Sequence, residues 1–445
     1  MSNTNFKRIE ITIDNIPGDK SISHRAIILG SLAENSSAYS NFLFSEDCLN
    51  TFNIFRELRS DPTTITKNDA NKTVFIKGLG LNGLSQAKKI LDVGNSGTGI
   101  RLITGILASQ LFDTEITGDS SIQKRPMKRI VDPLTQMGCS IKGQSLEGKN
   151  DIYPPLKITG ISDGPTAIEY KMPVASAQVK SAILFASLFS RETTTIIEKK
   201  PSRNHTEIML KAFGADITLN GNIITCSGKN PLVAPTQSTG ENTLTIPSDF
   251  SSAAFFIVLA LIRPNTKITL KNIGLNPTRA TLIDVLKDMG AKINVIENEG
   301  NNIEPFGDII VETSALKNIT VDEKVIPFII DEIPILAVAA LFSEGTLKIT
   351  NAEELRVKES DRIETTVAMI RAMGGEISEQ PDGFELIGNN GCNKEFEVDS
   401  HGDHRIAMSA YIASKAGNEL QPTINNSDCI NTSFPTFLEL LCQFS

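Results

Sequence analysis

A short helix-ending motif recurs four times along the chain, and it constrains the fold more than any other feature of the sequence. The copies read LTQMGCSI, LKAFGADI, LKDMGAKI and IRAMGGEI, and they place glycines at 138, 214, 290 and 374. In each copy an amphipathic stretch ends at glycine, which readily adopts the left-handed conformation of a helix C-cap, and a β-branched segment follows. The spacings of 76, 76 and 84 residues therefore predict a repeated α/β unit.

A second helix recurs in phase with this motif and is rich in Ala, Leu and Ile. Its six copies begin with a polar entry and cover residues 18–33, 94–108, 176–189, 248–262, 331–342 and 402–414. Six units of strand, helix, strand, helix and two strands predict an α/β protein of two lobes, each with three βαβαββ repeats. The first lobe is expected at 19–246 and the second at 1–18 plus 247–445, while the N-terminal strand, about 7–13, could pair with either lobe.

Composition excludes several classes of protein. The 52 acidic residues outnumber the 43 Lys and Arg, which opposes a nucleic-acid binder that relies on excess positive charge. No apolar run reaches the length of a membrane span, and the first residues lack the apolar core of a signal peptide, so we expect a cytoplasmic protein. The six cysteines lie far apart without a C-x-x-C motif, and we expect reduced thiols rather than disulfides or a zinc site.

Charged and hydroxyl-bearing residues gather where the helices begin. They lie in GDKS (18–21), GNSGT (94–98), RPMKR (125–129), SRNHTE (202–207), RVKESDR (356–362) and DHR (403–405). Helix N-termini favour anions because their backbone N–H groups are unpaired and the helix dipole is positive there. Each segment alone also fits an ordinary capped helix start or a solvated charge run. Together they predict anion binding, although neither glycine-containing loop has the P-loop spacing.

These segments resemble the motifs of the EPSP synthases, the 3-phosphoshikimate 1-carboxyvinyltransferases. The resemblance spans nearly the whole chain and rests on PGDKSISHRA (17–26), GNSGTGIRL (94–102), KRPM (124–127), SAQVKSA (176–182), SRNHTE (202–207), DEIP (331–334), ELRVKESDR (354–362) and DHRIAM (403–408). The forms SAQVKSA and KRPM are more similar to the bacterial class II branch than to class I.

The resemblance implies a fold, a reaction and a set of partners. The fold is the two-lobed enolpyruvyl transferase fold, an inverse α/β barrel with a hinge near 16–20 and 244–248. The reaction moves the enolpyruvyl group of phosphoenolpyruvate to the 5-hydroxyl of shikimate 3-phosphate and releases phosphate, a step of aromatic amino acid biosynthesis that glyphosate inhibits. No metal or organic cofactor is implied, and we expect a monomer that binds these two small molecules and neither nucleic acid nor membrane.

The resemblance also assigns roles to residues. Asp331 resembles the base near the 5-hydroxyl, and Glu359 with Lys20 resembles the acid at the methylene carbon, without a decision on which of these two donates the proton. Shikimate 3-phosphate is expected to contact Lys20, Ser21, Arg25, Ser176, Gln178, Arg203, Asp331 and Lys358. Phosphoenolpyruvate is expected to contact Lys20, Gly97, Arg125, Gln178, Arg362 and Arg405.

Two departures and two alternatives accompany this interpretation. Thr432 and Ser433 stand where some family members have a Lys, and Ser176-Ala177 replaces a tandem serine, so that Arg203 could compensate for one missing hydroxyl. UDP-N-acetylglucosamine enolpyruvyl transferase shares the architecture, but its reactive loop cysteine has no counterpart in a glycine-rich basic loop here. An inactive repeat scaffold would have lost the charges at the helix starts, whereas this chain retains them.

Overall fold

The computed structural model describes residues 8–236, 243–299, 303–388, 391–392, 394–417 and 421–444. These residues form two compact units, each with its own hydrophobic core. The N-terminal unit comprises 18–246 together with Ile303 and Glu304. The C-terminal unit comprises the described residues up to Pro17, then Pro247–Glu299, and the chain from Pro305 onward.

The described residues contain thirteen α-helices and twenty-one strands. The helices are α1 (Lys20–Leu32), α2 (Glu46–Glu57), α3 (Gly97–Leu107), α4 (Lys128–Gln136), α5 (Ala177–Ser187), α6 (His205–Ala212), α7 (Phe250–Ile262), α8 (Leu282–Asp288), α9 (Ile326–Ile329), α10 (Ile333–Leu341), α11 (Arg362–Ala372), α12 (His404–Ala416) and α13 (Phe437–Leu441). The strands are β1 (Ile9–Ile13), β2 (Ser37–Ser40), β3 (Ile65–Asn68), β4 (Thr73–Ile76), β5 (Leu91–Asp92), β6 (Thr114–Thr117), β7 (Ser140–Gln144), β8 (Tyr153–Thr159), β9 (Glu169–Lys171), β10 (Thr194–Ile197), β11 (Asp216–Asn220), β12 (Ile223–Ser227), β13 (Thr243–Thr245), β14 (Thr266–Gly274), β15 (Lys292–Asn298), β16 (Phe306–Glu312), β17 (Thr346–Ile349), β18 (Glu376–Gln380), β19 (Gly383–Ile387), β20 (Glu397–Asp399) and β21 (Thr423–Asn425).

The N-terminal unit contains three sheets of one topology. Their strand orders are β13-β2-β4-β3, β5-β6-β8-β7 and β9-β10-β12-β11. In each sheet the first pair is parallel and the next two pairs are antiparallel. This is the predicted βαβαββ arrangement, and the first sheet takes its outer strand from β13 at the far end of the unit.

The C-terminal unit repeats this topology with losses along the chain. The sheet β1-β14-β16-β15 is complete, and β1 pairs with β14 from Ile9 opposite Thr266, which decides the pairing that the sequence left open. In the next sheet, β17-β19-β18, two isolated parallel bridges, Lys317 with Glu344 and Thr320 with Lys348, take the place of the outer strand. The sixth repeat is shorter than predicted, because α12 and β21 are followed by short helical segments instead of a hairpin among the described residues.

The two recurring sequence elements have the predicted structures. The apolar copies form α1, α3, α5, α7, α10 and α12, and the side chains of α7 are buried on every face from Phe250 to Leu261. A helix that is apolar all round belongs in the interior of a domain. The four repeated glycines follow α4, α6, α8 and α11 with φ values of +86°, +78°, +96° and +90° for Gly138, Gly214, Gly290 and Gly374. The left-handed helix ends are therefore confirmed.

Candidate active site

Lys20 begins α1 and forms an ion pair that the sequence did not reveal. Its Nζ lies 3.1 Å from Oδ2 of Asp47, in the first turn of α2, and the two side chains are 25% and 13% exposed. Asp19 caps α1 by accepting a hydrogen bond from the backbone N–H of Ile22 at 2.9 Å. This cap fixes the helix start, so the cation of Lys20 and the hydroxyl-bearing Ser21 project from a defined position.

Arg25 lies one turn further along α1 and is held by three groups. Its Nε donates to Oγ1 of Thr206 at 2.7 Å, its Nη2 to Oγ of Ser181 at 3.0 Å, and its Nη1 to the carbonyl of Ser21 at 2.9 Å. Burial lowers the pKa of Arg25 to about 10, against the nearby carboxylates of Glu207, Asp19 and Glu304, which raise it. The guanidinium stays charged at neutral pH and is fixed in direction, which suits binding of a phosphate.

Gly97 begins α3 beside two arginines. A Cβ atom built on Gly97 would lie 2.6 Å from Nη1 of Arg125 and 3.1 Å from Nη1 of Arg101. Arg101 donates to Oε1 of Gln178 at 2.9 Å, and Gln178 in turn donates to Oγ1 of Thr98 at 3.0 Å. Three residues assigned to phosphoenolpyruvate, Gly97, Arg125 and Gln178, therefore belong to one contiguous group.

The last two residues assigned to this unit lie at the starts of α5 and α6. Ser176 is the N-cap of α5, and its hydroxyl accepts from the N–H of Val179 at 3.4 Å. Arg203 is half-buried two residues before α6, and it directly follows the buried Ser202. Seven of the eight residues assigned to the N-terminal unit thus lie at the starts of α1, α3 and α5 or in the loops that lead to α4 and α6, and the eighth, Arg25, lies in the second turn of α1.

Arg362 is the centre of the group in the C-terminal unit. Its side chain is 1% exposed, and it contacts Asp331 through Nη1 at 2.9 Å, Asp403 through Nε at 2.7 Å, and Glu359 through Nη2. Burial lowers the pKa of Arg362, but the charges of Glu359, Asp403 and Asp331 outweigh it, so the pKa is raised above its ordinary value. For Asp403 the two effects have the opposite signs. Burial raises its pKa, the charge of Arg362 lowers it, and the net result is a lowered pKa.

Asp331 has a second cationic partner, Arg279, which the sequence analysis missed. Oδ2 of Asp331 lies 3.5 Å from Nη1 of Arg279, and its Oδ1 accepts from Arg362. A lone Asp before an apolar helix is usually an N-cap, but the N-cap position of α10 is Glu332, without a side-chain cap bond. Arg405 lies 3.6 Å from Glu332, on which Arg279 also converges at 3.7 Å. Both oxygens of Asp331 are therefore oriented by guanidinium groups.

Glu359 and Lys358 occupy the turn before α11. The side chain of Glu359 is 35% exposed and accepts a hydrogen bond from Arg362, while Lys358 is half-buried. Within the described part of the chain, Lys358 forms no hydrogen bond or ion pair with Arg362 or with the carboxylates around it. Glu359 therefore combines a fixed anchor with access to solvent, as a proton donor or acceptor requires.

Comparison with known proteins identifies the family of this chain. The sequence model of the family described as EPSP synthase (3-phosphoshikimate 1-carboxyvinyltransferase) matches residues 4–441. A 3-phosphoshikimate 1-carboxyvinyltransferase of Thermoanaerobacter sp. (strain X514) is 46% identical over 431 residues, which cover 97% of each chain. The Bacillus subtilis (strain 168) protein of the same name is 43% identical over 97% of this chain and 96% of its own. The chain belongs to the EPSP synthase family.

Solved structures of EPSP synthase and of a more distant enzyme share the fold. A structure of EPSP synthase from Acinetobacter baumannii superimposes with a TM-score of 0.86 at 40% identity, covering 99% of this chain and 96% of that one. The enolpyruvyl transferase NikO from Streptomyces tendae superimposes with a TM-score of 0.75 at 14% identity, over 98% and 95% of the two chains, and shows the fold alone. The predicted two-lobed α/β enolpyruvyl transferase fold is thus confirmed.

Several polar residues of this EPSP synthase family member were not singled out from sequence. Arg101, Ser181 and Thr206 lie inside quoted motifs, so their spacing from Gly97, Gln178 and Arg203 was a usable signal. Asp47 and Arg279 lie in segments without such a motif and are found only from their contacts. Among the described residues, no group of three or more His, Cys, Asp or Glu could hold a metal ion, and no helix is long and apolar enough to cross a membrane.

The cysteines and the C-terminal Thr432 were also singled out in the sequence. All six cysteines are free, and Cys48, Cys139, Cys226 and Cys392 are buried. Thr432, one of the two residues before Phe434-Pro435, donates its hydroxyl to the carbonyl of Cys429 at 2.7 Å. This hydroxyl is therefore hydrogen-bonded within the local helical turn.

Proposed function

We propose that this chain transfers the enolpyruvyl group of phosphoenolpyruvate to the 5-hydroxyl of shikimate 3-phosphate, giving 5-enolpyruvylshikimate 3-phosphate and phosphate. The observation that carries the proposal is the match to the EPSP synthase family over residues 4–441. The arginines and lysines at the helix starts support it, since both substrates carry a phosphate and a carboxylate.

The N-terminal unit supplies anion-binding groups. Arg25, Lys20 and Arg203, with Ser21 and Ser176, are proposed to bind shikimate 3-phosphate, and Gln178 contacts both substrates. Lys20, Gly97 and Arg125 are proposed to bind phosphoenolpyruvate. The contacts of Arg25 with Thr206 and Ser181 support this division, because they hold its guanidinium in place before a ligand binds.

The C-terminal unit supplies groups for proton transfer. Asp331 is proposed to accept the proton of the 5-hydroxyl as the oxygen attacks the carbon of phosphoenolpyruvate that bears the phosphate. The methylene carbon gains a proton in the same addition, from Glu359 or Lys20, and loses one when the tetrahedral intermediate collapses and the C–O bond to phosphate breaks. Arg362 and Arg405 would bind phosphoenolpyruvate, and Lys358 shikimate 3-phosphate, so cations would face the charge that develops in the intermediate.

The alternative acceptor, UDP-N-acetylglucosamine, is not favoured, because the matched family and the curated relatives are named for shikimate 3-phosphate chemistry. The division into lobes with hinges near 16–20 and 244–248, the cytoplasmic location and the monomeric state stay part of the proposal.

Product identification tests the proposed reaction. The purified protein is incubated with phosphoenolpyruvate and either shikimate 3-phosphate or UDP-N-acetylglucosamine, and the products are identified by mass spectrometry. We expect enolpyruvyl transfer to shikimate 3-phosphate alone. Transfer to the nucleotide sugar, or to neither acceptor, would contradict the proposal.

A further inference from the structure

Lys180 is a buried cation in the second turn of α5. Its side chain is 1% exposed, and its Nζ lies 3.0 Å from Oε2 of Glu198, 2.6 Å from Oε1 of Glu207 and 3.3 Å from the carbonyl of Ser202. Both glutamates are also buried, at 5% and 2% exposure. Replacement of a buried ion pair by well-packed apolar side chains is often neutral or stabilising, so stability alone does not account for a buried lysine at this position.

The three acceptors of Lys180 lie between the end of β10 and the first turn of α6. Glu198 follows β10, and its Oε1 accepts hydrogen bonds from the backbone N–H of Ser202 at 3.1 Å and from the Ser202 hydroxyl at 2.5 Å. Glu207 lies in the first turn of α6. The loop is therefore attached to Lys180 at its beginning, its middle and its end, and the middle attachment directly precedes Arg203.

The same helices also hold Arg25. Ser181, next to Lys180, shares a hydrogen bond of 2.6 Å with Thr206, next to Glu207, and both hydroxyls accept from the Arg25 guanidinium. Burial is the largest cause of the lowered pKa of Arg25. The charge of Glu207 raises this pKa and the charge of Arg203 lowers it, so Glu207 and Arg203 both lie within electrostatic range of Arg25. The buried network thus borders two of the groups that we assign to shikimate 3-phosphate.

We propose that Lys180 is a positioning residue for shikimate 3-phosphate: through Glu198, Ser202 and Glu207 it fixes the loop from which Arg203 reaches the 3-phosphate. The inference rests on the function proposed above. An arginine whose backbone is already fixed loses less conformational freedom on binding, and this raises its affinity for a phosphate.

Steady-state kinetics and binding of Lys180→Met test this role. The methionine keeps an unbranched side chain of similar length but removes the cation. We expect the KM for shikimate 3-phosphate to rise about tenfold, as loss of a charge-assisted contact predicts, while kcat and the KM for phosphoenolpyruvate change by less than about threefold. Calorimetry should show the same loss of affinity for shikimate 3-phosphate, but an unchanged affinity for shikimate, which lacks the phosphate.

Two further variants complete the test. Lys171→Met removes the exposed partner of Glu169, at 74% and 61% side-chain exposure in the same unit, and should leave every constant unchanged. Ser202→Ala deletes one hydrogen bond to Glu198 without altering a buried charge, and it decides the matter if Lys180→Met does not fold. We expect its KM for shikimate 3-phosphate to rise about threefold.

The possible results separate the two proposals. Unchanged binding of shikimate 3-phosphate in a folded Lys180→Met or Ser202→Ala protein would overturn the positioning role, as would an equal loss of affinity for shikimate. A wild-type protein that binds shikimate 3-phosphate but does not turn it over would instead contradict the proposed reaction.

Discussion

Arg362 and Asp403 form a buried ion pair in which Nε of the arginine lies 2.7 Å from Oδ2 of the aspartate, with side-chain exposures of 1% and 0%. Arg362 is the first residue of α11, and Asp403 caps α12 by accepting from the backbone N–H of Arg405 at 3.0 Å. The pair therefore joins the starts of helices from two successive repeats, and the same arginine orients Asp331.

Replacement of Arg362 by methionine should reduce stability strongly. It leaves Asp403 and Asp331 without their main cationic partner, and breaking a buried pair in this way costs about 3–5 kcal/mol. The free energy of unfolding, measured with urea, should fall by this amount. Lys348→Met, which removes a half-exposed ion pair with Glu385, is the control and should cost less than about 1 kcal/mol. Equal losses of unfolding free energy in the two variants would show that the buried pair contributes no more to stability than the half-exposed pair.

His24 should make stability depend on pH. Its buried ring shares a hydrogen bond of 2.8 Å between Nδ1 and Thr51, and burial lowers its pKa to about 3. The unfolded chain takes up a proton at His24 near pH 6.5 and the folded chain does not, so its contribution to stability is complete above about pH 6.5. As the pH falls from 6.5 toward 3, the free energy of unfolding decreases by up to about 1.4 kcal/mol per pH unit.

Urea unfolding of His24→Gln between pH 7 and pH 4 measures this contribution. The free energy of unfolding of the variant should fall less steeply with decreasing pH than that of the wild type. The difference in slope should correspond to the uptake of about one proton on unfolding. His401→Asn, at an exposed histidine, should keep the wild-type slope. Parallel curves for wild type and His24→Gln would show that His24 is not the group responsible.

Glu359→Gln and Arg405→Ala should separate proton transfer from binding. The glutamine keeps the shape of Glu359 but cannot exchange a proton, so kcat should fall by a factor of about 10²–10⁴. Arg405→Ala removes a charge-assisted contact and should mainly raise the KM for phosphoenolpyruvate. If Glu359 only pairs with Arg362 at a partly exposed helix start, no step would change by more than about 1 kcal/mol. A near-normal kcat of Glu359→Gln would point to Lys20 as the proton donor.

Gly97→Ala should weaken inhibition by glyphosate more than it weakens substrate binding. The added methyl group would lie 2.6 Å from Nη1 of Arg125, at the end of a flexible side chain, which can move aside. The longer inhibitor should tolerate the lost space less well than phosphoenolpyruvate, and we expect its inhibition constant to rise about tenfold or more. The KM for shikimate 3-phosphate serves as the internal control. Identical inhibition of both proteins would remove Gly97 from the binding surface.

The sequence was sufficient for the local elements of the fold. The glycines at 138, 214, 290 and 374 identified four helix ends because only a residue without Cβ is comfortable at their positive φ. The six recurring helices were recognisable because each is rich in Ala, Leu and Ile behind a polar entry. The shortened sixth repeat was not recognisable, since a missing hairpin leaves no pattern, and the pairing of β1 depended on a strand more than 250 residues away.

The residues of the candidate site also divide into those that local sequence motifs predict and those that depend on long-range packing. Residues such as Lys20, Arg125 and Arg362 were found because they lie in compact motifs at helix starts. Arg279, which contacts Asp331 from 52 positions away, was not found, because side-chain pairing over such a distance depends on the packing of whole repeats. Lys180 lay inside a quoted motif, but its burial between two glutamates depends on how α5 packs near the start of α6.

Release of phosphate from phosphoenolpyruvate, followed with and without shikimate 3-phosphate, tests the central claim most directly. Both substrates are added to the purified protein, and the free phosphate is measured over time beside a reaction that omits the acceptor. The account predicts rapid release that requires shikimate 3-phosphate and that yields one phosphate for each enolpyruvyl group transferred. Release at the same rate without the acceptor, or no release with it, would contradict the account.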